Sequence, residues 1–150
     1  MGNIRVEGKK LIYQRKDELT IIEPYGMNCL RCRSTKNSKI LDENWTVLPP
    51  ATADDCHIEC DGRFATITNG AMKATIDAGQ IWYGGIITYF KKDTPVLHTR
   101  FEGDYSNRNQ HIEGDHYKIS VIFDANEGEH FYGIGQEQVD LFDRKGSTSQ

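Results

Sequence analysis

The sequence predicts an all-β fold, an antiparallel β-sandwich, and three observations carry that reading. Apolar side chains recur every second residue along most of the chain. Turn-forming dipeptides break these runs about every 8–12 residues, the spacing of a sandwich or barrel. Only Gln136 to Phe142, with Val139 and Phe142 on one side, has the spacing of a short helix.

The strands follow in order. Leu11, Tyr13 and Arg15 alternate with Ile12 and Gln14, and Leu19 and Ile21 alternate with Thr20 and Ile22. From Asn28 to Ser34, Leu30 and Cys32 alternate with Cys29, Arg31 and Arg33. Residues 55 to 90 read as an antiparallel meander. Asp61-Gly62 and Asn69-Gly70 suit two-residue hairpins, because both dipeptides tolerate positive φ. Ala78-Gly79 and Gly84-Gly85 give two further breaks. Tyr117, Ile119, Val121 and Phe123 alternate with Lys118, Ser120 and Ile122. Two stretches resist the pattern and read as long connections. Leu41 to Asp55 contains Trp45 and Pro49-Pro50, and Phe101 to His116 is polar. Loops of that length are often functional.

A chain of 150 residues has the size of one domain. Its 37% hydrophobic and 27% charged residues are those of a polar globular protein. A net charge of -4 argues against a nucleic-acid or anionic-membrane partner, both of which attract basic surfaces. No apolar run approaches the roughly 20 residues that span a bilayer. Met1-Gly2-Asn3-Ile4-Arg5 lacks the apolar core of a secretory signal, so a soluble cytoplasmic protein is expected.

Cys29-x2-Cys32 and Cys56-x3-Cys60 invite a zinc reading. Side chains three apart on a strand point to opposite faces. Those four apart lie about 13 Å from each other, too far to share one zinc at about 2.3 Å from each thiolate. Small buried thiols are the expectation, and a reducing compartment argues against disulfides. Among the histidines, His111 and His116 flank Asp115 without tight ligand spacing, so they read as surface or hydrogen-bonded side chains. No metal and no cofactor are expected.

The densest motif is His130-Phe131-Tyr132-Gly133-Ile134-Gly135-Gln136-Glu137-Gln138, followed by Asp143-Arg144-Lys145-Gly146. The two glycines around Ile134 let the backbone bend sharply. Phe131 and Tyr132 point to opposite faces if extended, one toward the core and the other toward a cleft.

Phe131-Tyr132-Gly133-Ile134-Gly135-Gln136 resembles the aromatic-Tyr-Gly-hydrophobic-Gly-Glu/Gln signature of the N-terminal β-domain of glycoside hydrolase family 31, the α-glucosidases and α-xylosidases. Arg144-Lys145-Gly146 is similar to the family's basic-to-glycine turn, Leu30-Arg31-Cys32-Arg33 to its Leu-Arg-Val-Arg strand, and Asn44-Trp45 to its acidic-Trp segment. Order and spacing agree over roughly the whole chain. The Gln at 136 resembles the bacterial α-xylosidase-like members.

The resemblance implies a galactose-mutarotase-like sandwich over residues 1–150, an N-terminal non-catalytic domain truncated before its (β/α)8 barrel. That barrel would be its partner and would carry both catalytic aspartates of a retaining glycosidase. The domain would lend a loop to the rim of the sugar site. The same resemblance makes Tyr132, Gln136, Asp143, Arg144 and Lys145 the expected substrate-binding residues for an α-glucoside or α-xyloside. Tyr105 and Phe101 are of a type to stack on a sugar face. No catalytic residue is expected here. The pairs Asp17-Glu18, Asp42-Glu43, Asp54-Asp55 and Glu127-x-Glu129 read as solvated surface, so the chain alone should hydrolyse nothing.

A cut sandwich exposes strand edges, and self-association of the fragment is expected. Two alternatives stand beside this reading. One is a free-standing carbohydrate-binding module, which millimolar or tighter binding of xylosides or maltosides by the isolated chain would favour. The other is a zinc-dependent interaction domain using Cys29, Cys32, Cys56 and Cys60.

Overall fold

The computed structural model describes residues 2–15, 18–45, 47–48, 55–79, 86–98, 108–113, 116–121, 125–132, 142–143 and 145–146, with the backbone alone for 86, 98, 108–113 and 116–121. Four strands form one antiparallel sheet in the order β1-β2-β3-β4: β1 (Asn3–Glu7), β2 (Lys10–Arg15), β3 (Glu18–Pro24) and β4 (Leu30–Thr35). Five more form a second, in the order β5-β6-β7-β8-β9: β5 (Cys56–Cys60), β6 (Phe64–Asn69), β7 (Met72–Asp77), β8 (Ile86–Lys91) and β9 (Thr94–His98). A separate antiparallel pair joins β10 (Arg108–Glu113) to β11 (His116–Val121). There is no helix among the described residues.

The two large sheets meet through one face of each. Register sets Ile58 opposite Ile67, Ile67 opposite Ala74, Ala65 opposite Ile76, and Ile76 opposite Ile87. All of these point to one side. Ile4, Leu11, Tyr13 and Ile22 from the first sheet join Ala65, Ile67, Ala74, Ile76, Ala78 and Ile87 from the second in a single core. The small alanines on one sheet leave room for the fully buried Tyr13 ring and Leu11 on the other. The fold is an antiparallel β-sandwich, as the period-two pattern predicts.

The outer face of β1–β4 carries a charge cluster. Glu23, 6% exposed, accepts from Arg31 and Arg33 on β4, at 2.8 and 2.7 Å, and lies 3.6 Å from Lys10 on β2. Arg31 in turn lies over the Tyr25 ring, 4.2 Å from its centroid. Removing one partner of such a cluster would strand charge in a poorly hydrated place. Arg33 also donates to the Leu41 carbonyl, which draws the connection after β4 across this face.

Several sequence expectations are corrected. β1 and β9 were not anticipated by the apolar pattern, and Arg108–Glu113 is a strand rather than part of a long loop. Ladder pairing uses backbone groups, so polar strands such as β10 leave little periodic signal. The β8–β9 turn sets both Lys92 and Asp93 at positive φ, 47° and 64°, without a glycine. Lys92 N–H donates to the Ala71 carbonyl and Lys73 Nζ bonds Asp93, contacts that hold this turn in place. The cysteines are not buried: Cys29, Cys32 and Cys60 are exposed and Cys56 is half-buried. Cys29 precedes β4 in a turn, and Cys60 lies at the end of a sheet edge strand. The expected Gln136–Phe142 helix lies outside the described residues but for Phe142, which sits in a bend.

One end of the sandwich is tied by two amides. Asn69, 2% exposed at the end of β6, donates through Nδ2 to the carbonyls of Gly26 and Cys29 at 2.7 and 2.6 Å. In return, Asn28 Oδ1 accepts from the backbone N–H of Ala71 at 2.6 Å. The β3–β4 turn and the β6–β7 hairpin belong to different sheets, so these bonds fix one sheet against the other. Asn69→Ala is expected to cost about 2 kcal/mol, because a buried amide is lost, the Gly26 carbonyl loses this donor, and the Cys29 carbonyl keeps only the Tyr25 N–H. Asn69→Asp should cost more, since a carboxylate would face two carbonyl oxygens. Urea midpoints of the two variants check this, and midpoints equal to that of the native chain would refute it.

Candidate functional site

The C-terminal motif begins at a turn that closes on the sandwich edge. Asn126 donates through Nδ2 to the Val96 carbonyl of β9 at 3.1 Å, a carbonyl on the last strand of its sheet. Glu129 N–H donates to the Asn126 carbonyl at 3.3 Å and closes the turn around Gly128. Residues 130–132 then run without ladder pairing, and a side chain from further along the chain takes over the accounting of their polar groups.

That side chain is Asp143. Its Oδ2 accepts from His130 Nδ1 at 2.6 Å. Its Oδ1 accepts from the backbone N–H groups of Phe131 and Lys145, both at 3.1 Å. Lys145 Nζ reaches back to the Asn126 carbonyl at 2.8 Å, which completes a ring of contacts. The His130 hydrogen bond, then the N–H groups of Lys145 and Phe131, hold the Asp143 carboxyl down at about 2, against an ordinary 3.8. An ionised carboxylate only accepts, so His130 Nδ1 carries the proton between them.

Aromatic rings surround this clasp. Tyr132 and Phe142 have centroids 4.8 Å apart with a 41° tilt. His130 stacks on Tyr132 at 6.0 Å and 21°. Tyr132 is 54% exposed and Phe142 84%. The structure thus brings Tyr132, Asp143 and Lys145 of the expected set together, while Gln136 and Arg144 lie outside the described residues, as do Tyr105 and Phe101. Phe131 is also half exposed, so neither aromatic of the pair anchors the core, contrary to the extended-strand expectation. The segment is held by side-chain bonds instead of by a sheet.

The chemistry of the clasp is acceptor chemistry. A carboxyl held near 2 is a weak base at neutral pH and has no proton to donate, which suits anchoring rather than proton transfer. Elsewhere, Glu18 accepts from Ser34, and Glu43 from Trp45. Among the described residues no group of three or more His, Cys, Asp or Glu is placed to hold a metal ion.

No family model matches this chain. A solved structure does. The chain is similar to the crystal structure of a glycoside hydrolase family 31 α-xylosidase from a soil metagenome, complexed with xylose. The TM-score is 0.82 at 21% identity, over 96% of this chain and 24% of that one. The chain has the fold of a β-sandwich within that enzyme. It spans about a quarter of the enzyme's length, and the likeness falls on the family that the motif resembles.

His130, Asn126 and Phe142 were absent from the expected site. A histidine and an aspartate 13 residues apart carry no local spacing rule, so their pairing is visible only once the loop has closed. For Asp143 the sign of the pH dependence is fixed by its depressed value: the unfolded chain binds this proton first. The clasp's contribution is complete above the ordinary 3.8 and is lost as pH falls toward about 2. Carboxyl-detected NMR of Asp143 should give a midpoint near 2, and a midpoint at the ordinary value would rule the clasp out.

Proposed function

We propose that this chain is the N-terminal, non-catalytic sandwich domain of a retaining α-glycosidase of the α-xylosidase or α-glucosidase type. Its partner is the enzyme's own (β/α)8 barrel, which supplies the two carboxylates that the reaction requires. Its substrate contact is the loop around Tyr132, with Gln136 and the Asp143-Arg144-Lys145 turn, and its setting is cytoplasmic carbohydrate metabolism. One observation supports the reading: the sandwich matches 96% of this chain to 24% of an α-xylosidase.

The exposed surface supports a missing neighbour. Met27, Trp45, Leu48 and Phe142 are each more than three-quarters exposed. Large apolar side chains left in water in such number favour burial against another surface. In the intact enzyme that surface would be the barrel.

The test is the coding frame beyond Gln150 and the protein it makes. The isolated chain should release no product from aryl α-xylosides or α-glucosides. The chain continued through its downstream barrel should hydrolyse at least one of them with retention of anomeric configuration, read by NMR of the first-formed sugar. A downstream frame without a barrel, or activity in the isolated chain, would defeat the proposal. The isolated chain should also self-associate with rising concentration, and sedimentation showing a clean monomer at high concentration would count against an uncovered interface.

A further inference from the structure

We propose that β5 is a self-pairing edge: two copies of this chain join antiparallel about Ile58, with His57 of each opposite Glu59 of the other and Cys56 opposite Cys60. The inference stands apart from the glycosidase reading. It names the strand, the register and the partner of an association.

The backbone of β5 is arranged to take a second strand. β5 is the outer strand of its sheet and pairs with β6 alone. Asp61 N–H donates to the Phe64 carbonyl at 3.0 Å, so these two residues are a hydrogen-bonded pair at the head of the ladder. Such pairs recur at every second residue of an antiparallel ladder. Glu59 and His57 therefore turn their N–H and C=O groups toward Thr66 and Thr68, and Cys56, Ile58 and Cys60 turn theirs outward. Among the described residues no backbone group bonds that outer side. Lysine and proline, which blunt many natural edges, do not occur in β5.

The side chains fit a copy of themselves. In Cys56-His57-Ile58-Glu59-Cys60 a thiol stands at each end, and an imidazole on one side of Ile58 answers a carboxylate on the other. A two-fold axis at Ile58 lets its N–H donate to the Ile58 carbonyl of the second copy, and the reverse. Cys56 and Cys60 make the flanking hydrogen-bonded pairs, so every outward backbone group of the strand is satisfied. His57 and Glu59 then fall in the non-bonded pairs, where side chains come closest. Both are about three-quarters exposed, at 74% and 75%, and free to meet a partner across the ladder. Imidazole offers an N–H to a carboxylate in either protonation state. On the other face the half-buried Ile58, packed against the core, meets its own copy and loses contact with water.

The test uses the full chain. Sedimentation should show a monomer–dimer equilibrium, with a dissociation constant on the order of 100 μM for so small an interface. Glu59→Arg removes the acceptor from both symmetric pairs, and His57→Glu sets carboxylate against carboxylate. Each should weaken the dimer roughly tenfold. The double variant again sets a carboxylate opposite a cation and should recover it. Urea midpoints should stay put in all three, since both side chains are exposed. The register is read by oxidation with copper phenanthroline in a Cys29→Ser, Cys32→Ser background. Each Cys56–Cys60 pair would lose two protons and two electrons to oxygen through the copper and form a disulfide. The Cα separation of a hydrogen-bonded pair, about 5.5 Å, lies in the disulfide range. A covalent dimer is expected. Adding Cys56→Ser or Cys60→Ser should abolish it, and mixing those two chains should restore it through one bond. A monomer at every concentration overturns the pairing, as does a double variant that fails to recover. Cross-linking in the Cys56→Ser chain alone, or none in the mixture, overturns the register. Association unmoved by Glu59→Arg overturns the pairing yet leaves the accessory-domain reading standing, since the exposed apolar surface would then be what associates.

Discussion

The buried amide of Asn69 is the contact on which the arrangement of the two sheets depends. Hydrophobic burial holds the sheets together but is non-directional, so it does not by itself fix their mutual position. Asn69 faces two carbonyls from the β3–β4 turn, and Asn28 returns a bond to Ala71 in the β6–β7 hairpin. Each bond satisfies a backbone group that a turn leaves without a ladder partner. The same solution recurs at Asp61, which accepts from the N–H groups of Arg63 and Phe64, and at Asp77, which accepts from Gly79. Short Asx side chains thus carry the polar accounting of the β3–β4 and β6–β7 turns, of the β5–β6 turn and of the end of β7.

The candidate site extends that scheme beyond the sheets. Asn126 caps a carbonyl of the edge strand β9, and Asp143 gathers His130, Phe131 and Lys145. An edge strand is a liability when its backbone is free to pair with another chain. Here one of its carbonyls is spent on anchoring the loop, so the sandwich edge serves as the rigid base of the site. The depressed pKa of Asp143 follows from the same bonds, and it places this carboxylate on the side of structure rather than of proton transfer.

The sandwich was legible in the sequence because burial on one face imposes period two, and residues such as Ile67, Ala74, Ile76 and Ile87 obey it. The β6–β7 hairpin was legible because Gly70 takes a φ of +58° that glycine adopts without a Cβ clash, but its two-residue turn is Gly70-Ala71, one residue on from the expected Asn69-Gly70, since Asn69 pairs with Met72. Legibility ended where backbone pairing or long-range polar bonds decide the outcome. β10 reads as loop because Arg108, Asn109 and Gln110 carry no apolar alternation. Lys92-Asp93 forms a tight turn through contacts from Lys73 and Ala71 that no dipeptide rule contains. Of the site, Tyr132, Asp143 and Lys145 were singled out through the motif and are found together. His130 stands at the head of that motif but carries no expected role, and Asn126 lies outside it, since the bonds that join them to Asp143 and Lys145 span 13 and 19 residues.

Two exposed apolar groups in this domain share a construction that bears on function. In the connection after β4, Asn44 donates to Tyr25 Oη and to the Val47 carbonyl, Tyr25 donates to the Leu48 carbonyl, and Trp45 Nε1 donates to Glu43. Trp45 and Leu48 are thereby fixed while remaining largely in water. Asp143 holds the backbone next to Tyr132 by accepting from Phe131 N–H, and it directly follows Phe142. Apolar side chains that stabilised only this chain would be turned inward, as Tyr13 and Ile22 are. Holding them outward on hydrogen-bonded loops removes part of the ordering entropy before an encounter, which is the condition for a weak contact surface to bind at all. The polar bonds around these rings and the exposure of the rings are thus two halves of one arrangement, in which hydrogen-bonded loops keep large apolar side chains in water.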